Sequence, residues 1–409
     1  MDLPNLKSIV AAGKNISAGC LNLIDSMNMP RLKVAIITYY YEKPSLNGTA
    51  IHAQNLTRAL MENGCEVHVF CSGKDTKTYV ENNITVHTFG KILPPTVSNI
   101  PSARLVYDLF EVDVMKAAIM ENTKKPFDIV HTHGELIKSA FMLKKIYGVK
   151  WIHTFHAVEK LRVKELSAEE KEFGDIVTWM ESVTKYCNGT IFVSKDLLRE
   201  GLKHYKLKSK RVIPNGVDLR LFNFNPIAKK NVLFIGRFNK DKGIHHIPAI
   251  IRGVMSVKDA TFTMCSPYET PTPELRKIEV EINKLKNQHG ERIRMILEPQ
   301  KQESIRELYK ACQVYIQPSK YESFGLCIIE AMATGRPAVA FKVGGIPEVI
   351  GDAGFTVGNL DELIKKVKVL LLDKELCEKI GKKASERAKL FDWKIIAKKT
   401  IQYYKEVLK

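Results

Sequence analysis

Residues 317–337 read QPSKYESFGLCIIEAMATGRP. The apolar run leading into them, within CQVYIQPS, predicts a strand that stops at Pro318-Ser319. LCIIEAMATG predicts a helix closed by Gly335. Phe324, Gly325 and Leu326 then fall in the turn and the first helical positions. Unpaired backbone N–H groups at such a helix start form an anion site, and the helix dipole strengthens it. Gly325 has no side chain to keep a phosphate away. Glu322 precedes this turn and can point at whatever the phosphate carries. Glu330, about one turn into the helix, can accept hydrogen bonds from vicinal ribose hydroxyls. Alternatively, both acids merely complement the helix N-terminus. Spacing alone leaves the two readings level.

Working outward, short apolar and β-branched runs recur: LKVAIIT, CEVHVF, ITVHTF, DIVHTH, KWIHTFH and GTIFVS. Helical patterns such as GTAIHAQNLTRALMENG separate most of them. The alternation breaks at RVIPNGVDLRLFNFNP, residues 211–226, and restarts with NVLFIG, ATFTMC, RIRMIL, QVYIQP and PAVAF. Strand–helix alternation with near-continuous apolar strands implies buried parallel sheets. The expected fold class is therefore α/β, with two doubly wound Rossmann-like domains facing a cleft that holds the ligand. The expected boundaries are an N-terminal extension over residues 1–30, a first domain over 31–215 and a second over 216–392. A final helix, 393–409, is expected to complete the first domain.

A chain of 409 residues with 45% hydrophobic content fits two globular domains. No run of about 18 apolar residues suggests a membrane span, and the first 20 residues make a poor secretory signal. The eight cysteines form no Cys-x-x-Cys pair and match no histidine spacing, which points to reduced thiols, a cytoplasmic location and no structural zinc. The net charge of +18 fits a lysine-rich surface, a phosphorylated substrate or an anionic membrane face. No basic motif interleaved with aromatics speaks for nucleic acid.

A second stretch, NVLFIGRFNKDKGIHHIPAI, ends a buried strand at Gly236 and puts Arg237 and Lys242 on the following loop. Two cations at a strand's carboxyl end, in the same domain as the glutamates, suit a diphosphate. Taken with ESFGLCIIE, VIPNGVD and VGGIPEVIGDAG, this loop resembles those of the retaining, family-4 glycosyltransferases of the GT-B architecture. The likeness runs from about residue 31 to the C-terminus, where FDWKIIAKKTIQYYKEVL resembles the helix that crosses back onto the first domain.

That resemblance implies transfer of a hexose from a nucleotide-diphosphate sugar to an acceptor hydroxyl. Arg237 and Lys242 would hold the diphosphate, and Glu322 would contact the sugar. Phe324, Gly325 and Leu326 would present backbone amides, while Glu330 would bind the ribose. Gly48, in PSLNGTAIH, would approach the phosphates, and His156, in WIHTFHAVEK, would reach the transferred sugar from across the cleft. His131, His133 and His153 are assigned to the strand interior, although His131 and His133 share one face, so that one of them can line the acceptor side. No cofactor and no metal are expected. The chain departs from the family pattern at Asn47-Gly48, where two glycines are usual. It departs again at Cys265-Ser266-Pro267, which lacks a Gly-x-Gly, and at Glu298-Pro299 in a loop that often meets the base. The base is therefore open. So is the acceptor, which can be a glycan, a small sugar or a lipid-linked molecule. A sugar-nucleotide epimerase or phosphorylase of the same fold, and a non-catalytic basic binding protein, are the alternatives.

Overall fold

Strands covered on both faces are mostly apolar or carry paired polar groups, and β1 (Lys33–Ile37) and β5 (Ile129–His133) bury every residue. The architecture is taken from a computed structural model that describes residues 31–42, 48–90, 100–134, 136–162, 168–227, 229–267 and 272–409. The expected N-terminal extension, residues 1–30, lies outside the described residues, as does Asn47. Both sheets belong to one compact unit, Lys33–Lys409.

The first sheet has eight strands. Besides β1 and β5 these are β2 (Glu66–Ser72), β3 (Lys77–Glu81), β4 (Ile84–Phe89), β6 (Lys150–Phe155), β7 (Gly189–Phe192) and β8 (Lys210–Val212). Their spatial order is β3-β4-β2-β1-β5-β6-β7-β8, parallel except that β3 runs against β4. The second sheet comprises β9 (Asn231–Ile235), β10 (Thr261–Cys265), β11 (Ile293–Ile296), β12 (Val314–Gln317), β13 (Ala338–Phe341) and β14 (Phe355–Val357). Its order is β11-β10-β9-β12-β13-β14, and every pair is parallel.

The two α/β sheets match the expected fold class. Strand order reverses between β1 and β5 in one sheet and between β9 and β12 in the other. Loops leaving neighbouring strands at such a reversal diverge and open a crevice. The β9 and β12 loops are those that carry Arg237, Lys242 and Glu322. Three strands escaped the sequence reading. β3 is mostly exposed, and β8 and β14 are only three residues long, too short for any periodicity.

The helix Trp393–Leu408 packs on the first sheet. Tyr404 Oη bonds His131 Nδ1 at 2.6 Å, and Thr190 N–H donates to Tyr403 Oη at 3.2 Å. The segment linking the sheets is fixed at several points. Val217 N–H donates to the Phe391 carbonyl at 2.8 Å, and Arg58 pairs with Asp218 at 2.7 Å. Glu348, just after β13, accepts from the backbone N–H of Lys195 at 2.9 Å and of Asp196 at 2.8 Å. A carboxylate from the second sheet's half thus caps the helix Lys195–Gly201 of the first, satisfying N–H groups that a helix start leaves unpaired.

Candidate active site

After β9 the chain makes a tight turn in which Asn239 Oδ1 accepts from Lys242 N–H at 3.1 Å. Gly243 follows so close to the Pro318 carbonyl that a Cβ would lie 1.8 Å from its oxygen. Lys320 N–H donates to the Asp241 carbonyl at 2.9 Å, so the β9 and β12 loops are stitched together. The result is an ion pair between Lys242 Nζ and Glu322 Oε2 at 2.6 Å, both side chains largely buried. Arg237 lies exposed on the same loop as Lys242.

Glu322 is held from behind. Gly345 N–H donates to its carbonyl at 3.0 Å, and Gly344 sits at φ +51° with no room for a Cβ, which would lie 2.0 Å from that oxygen. VGGIPE is therefore a support for the glutamate loop, a role its sequence did not specify. Phe324 is buried against Phe391, with ring centroids 5.7 Å apart, and so offers only its backbone to the crevice. Gly325, at φ +102°, is the N-cap of the helix Leu326–Ala333. Gly48 faces this turn from the first sheet's side; a Cβ on it would lie 3.3 Å from Leu326 Cδ1.

Glu330 is buried one turn along that helix and accepts from Tyr309 Oη at 3.0 Å. Burial pushes its carboxyl up to about 7, and the Tyr309 hydrogen bond only partly opposes this. A carboxyl in that state changes charge near neutrality.

His156, beyond the end of β6, is half-buried and stands with two other imidazoles. Its Nε2 is 3.1 Å from His133 Nδ1, and its ring meets His52 edge-on at 4.6 Å. His52 lies on the helix Gly48–Glu62, bonds Asn215 Oδ1 through Nδ1 at 2.8 Å and touches the Trp393 ring. Burial holds all three imidazoles neutral, His52 at about 4 and the other two well below the ordinary histidine range.

His133, the last residue of β5, is buried as the strand-interior assignment expects. His131 bonds Tyr404 and Thr154, and His153 bonds Thr132. His133, by contrast, keeps a buried Nε2 without a hydrogen-bond partner. Strand alternation set its direction, but what closes on it comes from residues 52 and 156. His52 was not singled out at all, because helical periodicity marks it only as inward-facing.

Residues 46–221 match the family model described as Glycosyltransferase Family 4, and residues 221–387 match that of Glycosyl transferases group 1. The alpha-maltose-1-phosphate synthase of Mycobacterium tuberculosis is 26% identical, covering 92% of this chain and all of that protein. Sucrose-phosphate synthase from Thermosynechococcus elongatus superposes with a TM-score of 0.77 at 22% identity, over 92% of this chain and 99% of that one. The Anabaena protein HepE, in complex with UDP and glucose, superposes with a TM-score of 0.70 at 17% identity, over 92% of this chain and all of that one.

Proposed function

This chain belongs to the family-4 glycosyltransferases of GT-B architecture, and from that premise we propose that it moves a hexosyl group from a nucleotide-diphosphate sugar to an acceptor hydroxyl with retention at the anomeric carbon. The observation that carries this reading is the Lys242–Glu322 pair, held at 2.6 Å where strand order reverses, beside the helix start at Gly325.

When a donor enters, its diphosphate competes for the Lys242 ammonium, and Glu322 turns from that cation to the sugar hydroxyls. Arg237, Lys242 and the amides of Gly325 and Leu326 then bear on the charge that grows as the bond from C1 to the phosphate oxygen breaks. The acceptor oxygen bonds C1 on the face the leaving group vacates, and its proton passes to the departing phosphate. This arrangement asks for no separate base and no metal, so transfer is expected to survive chelation. Glu330 holds the ribose hydroxyls, and His156 meets the sugar from the opposite side.

A thermal-shift screen against UDP-, GDP- and ADP-sugars tests the donor class, since a ligand bound only by the folded state raises its stability. NMR of the product anomer tests the stereochemistry, and an inverted linkage would refute retention.

One surface favours a lipid-linked acceptor. Leu105, Leu109 and Met120 on the helix Ile100–Lys124 are more than half exposed, as are Ile146 on the helix Lys138–Tyr147 and Trp179 on the helix Ala168–Val183. On the helix Lys138–Tyr147, Phe141 meets the Tyr186 ring and Lys144 donates to the Tyr186 carbonyl at 2.7 Å. Repulsion from Lys208, Lys150 and Lys145 helps burial lower the Lys144 ammonium, a sign of crowded positive charge. Apolar side chains flanked by lysines suit an anionic bilayer. Among the described residues no helix is long and apolar enough to cross one. Sedimentation with anionic but not zwitterionic vesicles, weakening with salt, is the expected result. Equal binding to both, or none, would remove the lipid surface from this reading.

A further inference from the structure

We infer that His52, His133 and His156 form a site for one divalent transition ion of the type imidazole favours, Zn²⁺ or Co²⁺, distinct from the diphosphate loops. The three residues come from separate elements: the helix Gly48–Glu62, the end of β5 and the segment after β6. Each ring offers one nitrogen, and these nitrogens lie within 4.8 Å of one another. Two imidazole nitrogens on one tetrahedral ion, at 2.0–2.1 Å from it, stand about 3.3 Å apart. His133 Nδ1 and His156 Nε2, at 3.1 Å, already have that spacing. The third nitrogen needs to close by at most about 1.5 Å, within the reach of a ring rotation.

The hydrogen-bond pattern points the same way. Asn215 Oδ1 can only accept, so His52 carries its proton on Nδ1 and turns the Nε2 lone pair inward. His52 Nε2 is buried with no hydrogen-bond partner, a state that native interiors avoid, and so is the ring nitrogen of His133 that does not meet His156. A side-chain carbonyl that fixes the far nitrogen of an imidazole is the usual outer partner of a metal-bound histidine. His131 serves as an internal contrast: both its nitrogens are bonded to protein, and it has nothing left to offer an ion.

The acceptor's hydroxyls are the competing explanation for the unpartnered nitrogens. A sugar ring would call for partners spread along its edge, whereas one nitrogen from each of the three rings lies within 4.8 Å of the other two. All three ligands are neutral, so the fourth position, on the half-buried His156 side, favours an anion such as hydroxide or a phosphate oxygen. On the reading given above, in which His156 meets the transferred sugar, a bound ion withdraws that imidazole and slows transfer.

Titration of the chelator-stripped full chain with Co²⁺, in the absence of any sugar nucleotide, tests the site. One equivalent should bind, with the visible bands of four-coordinate Co²⁺ and a rise in melting temperature. His133→Ala and His156→Ala should each weaken binding at least 100-fold, and Asn215→Ala about 10–100-fold, as expected when an outer partner is lost. Circular dichroism checks each variant's fold, and the half-buried position of His156 makes its replacement the most readily tolerated. Substoichiometric binding, or full binding retained in the His156→Ala variant, would overturn the site and leave the cluster as hydrogen-bonding imidazoles. Because binding is measured without donor, either result stands apart from whether the chain transfers sugar.

Discussion

The crevice between the sheets has two walls of opposite character. On the second sheet's side, Lys242 and Glu322 are charged and neutralise each other at 2.6 Å, within loops pinned by Gly243 and Gly344. On the first sheet's side, burial keeps His52, His133 and His156 neutral, and His52 and His133 each leave one buried nitrogen unpaired. A charged pair in a partly buried loop costs little while its members face each other, and it can be handed over to a ligand of either sign. Buried neutral imidazoles store no such charge; they can position a hydroxyl or ligate an ion. The contrast suggests that transition-state electrostatics belong to the donor wall and placement to the histidine wall.

Measuring the two walls against each other is the sharpest test. Lys242→Ala should lower kcat by about 10²–10³, the scale of losing one preorganised donor at a developing charge. His156→Ala, removing a neutral hydrogen bond worth about 1 kcal/mol, should lower it only about fivefold. Steady-state kinetics at saturating donor would decide, and a larger loss in the histidine variant would reverse the assignment. Lys242→Ala with Glu322→Ala should lose less than the product of the single effects, because each residue is the other's partner before the donor binds.

A smaller effect concerns what holds the charged wall in place. Gly344→Ala sets a methyl group against the Glu322 carbonyl and forces a side chain onto φ +51°. The expected loss is about 2–4 kcal/mol of stability, from steric crowding together with left-handed strain. Urea denaturation reads it directly. An unchanged midpoint would mean that the glutamate loop moves freely and that its position does not depend on the glycine pair.

Much of this was legible in the chain, for identifiable reasons. Strands buried on both faces write apolar and β-branched runs, so KVAII and the Ile-Val start of IVHTH announced themselves. Lys242 and Glu322 stood out because charge next to glycine at a strand's end is otherwise costly to explain. What escaped depends on folding at a distance. Glu348 reads as an ordinary first-turn acid, and only the assembled molecule brings it to the amides of Lys195 and Asp196. The histidine cluster joins positions 52, 133 and 156, a spacing that no local period encodes. For His133, alternation tells which way the side chain points but not what it meets there.

The smallest expected effect probes the one ionisable group on the donor wall that is both buried and poised near neutrality. Burial raises the Glu330 carboxyl to about 7 against 4.5 in an unfolded chain. Between those values the folded protein holds a proton that the unfolded one has released. Stability therefore increases as pH falls from about 7 towards 4.5, opposite to the usual paired carboxylate. Donor binding should run the other way. Ribose hydroxyls donate to the ionised carboxylate, so affinity falls as Glu330 takes up its proton, by up to about tenfold per pH unit below 7. Calorimetric titration of the donor at pH 8, 7 and 6 should show roughly a tenfold weakening in total, and Glu330→Gln should flatten the profile at the weaker level. A wild-type affinity that ignores pH over this range would mean that Glu330 stays with Tyr309 and that the ribose is held elsewhere. The donor wall would then do its work through Arg237, Lys242, Glu322 and the amides at Gly325 and Leu326.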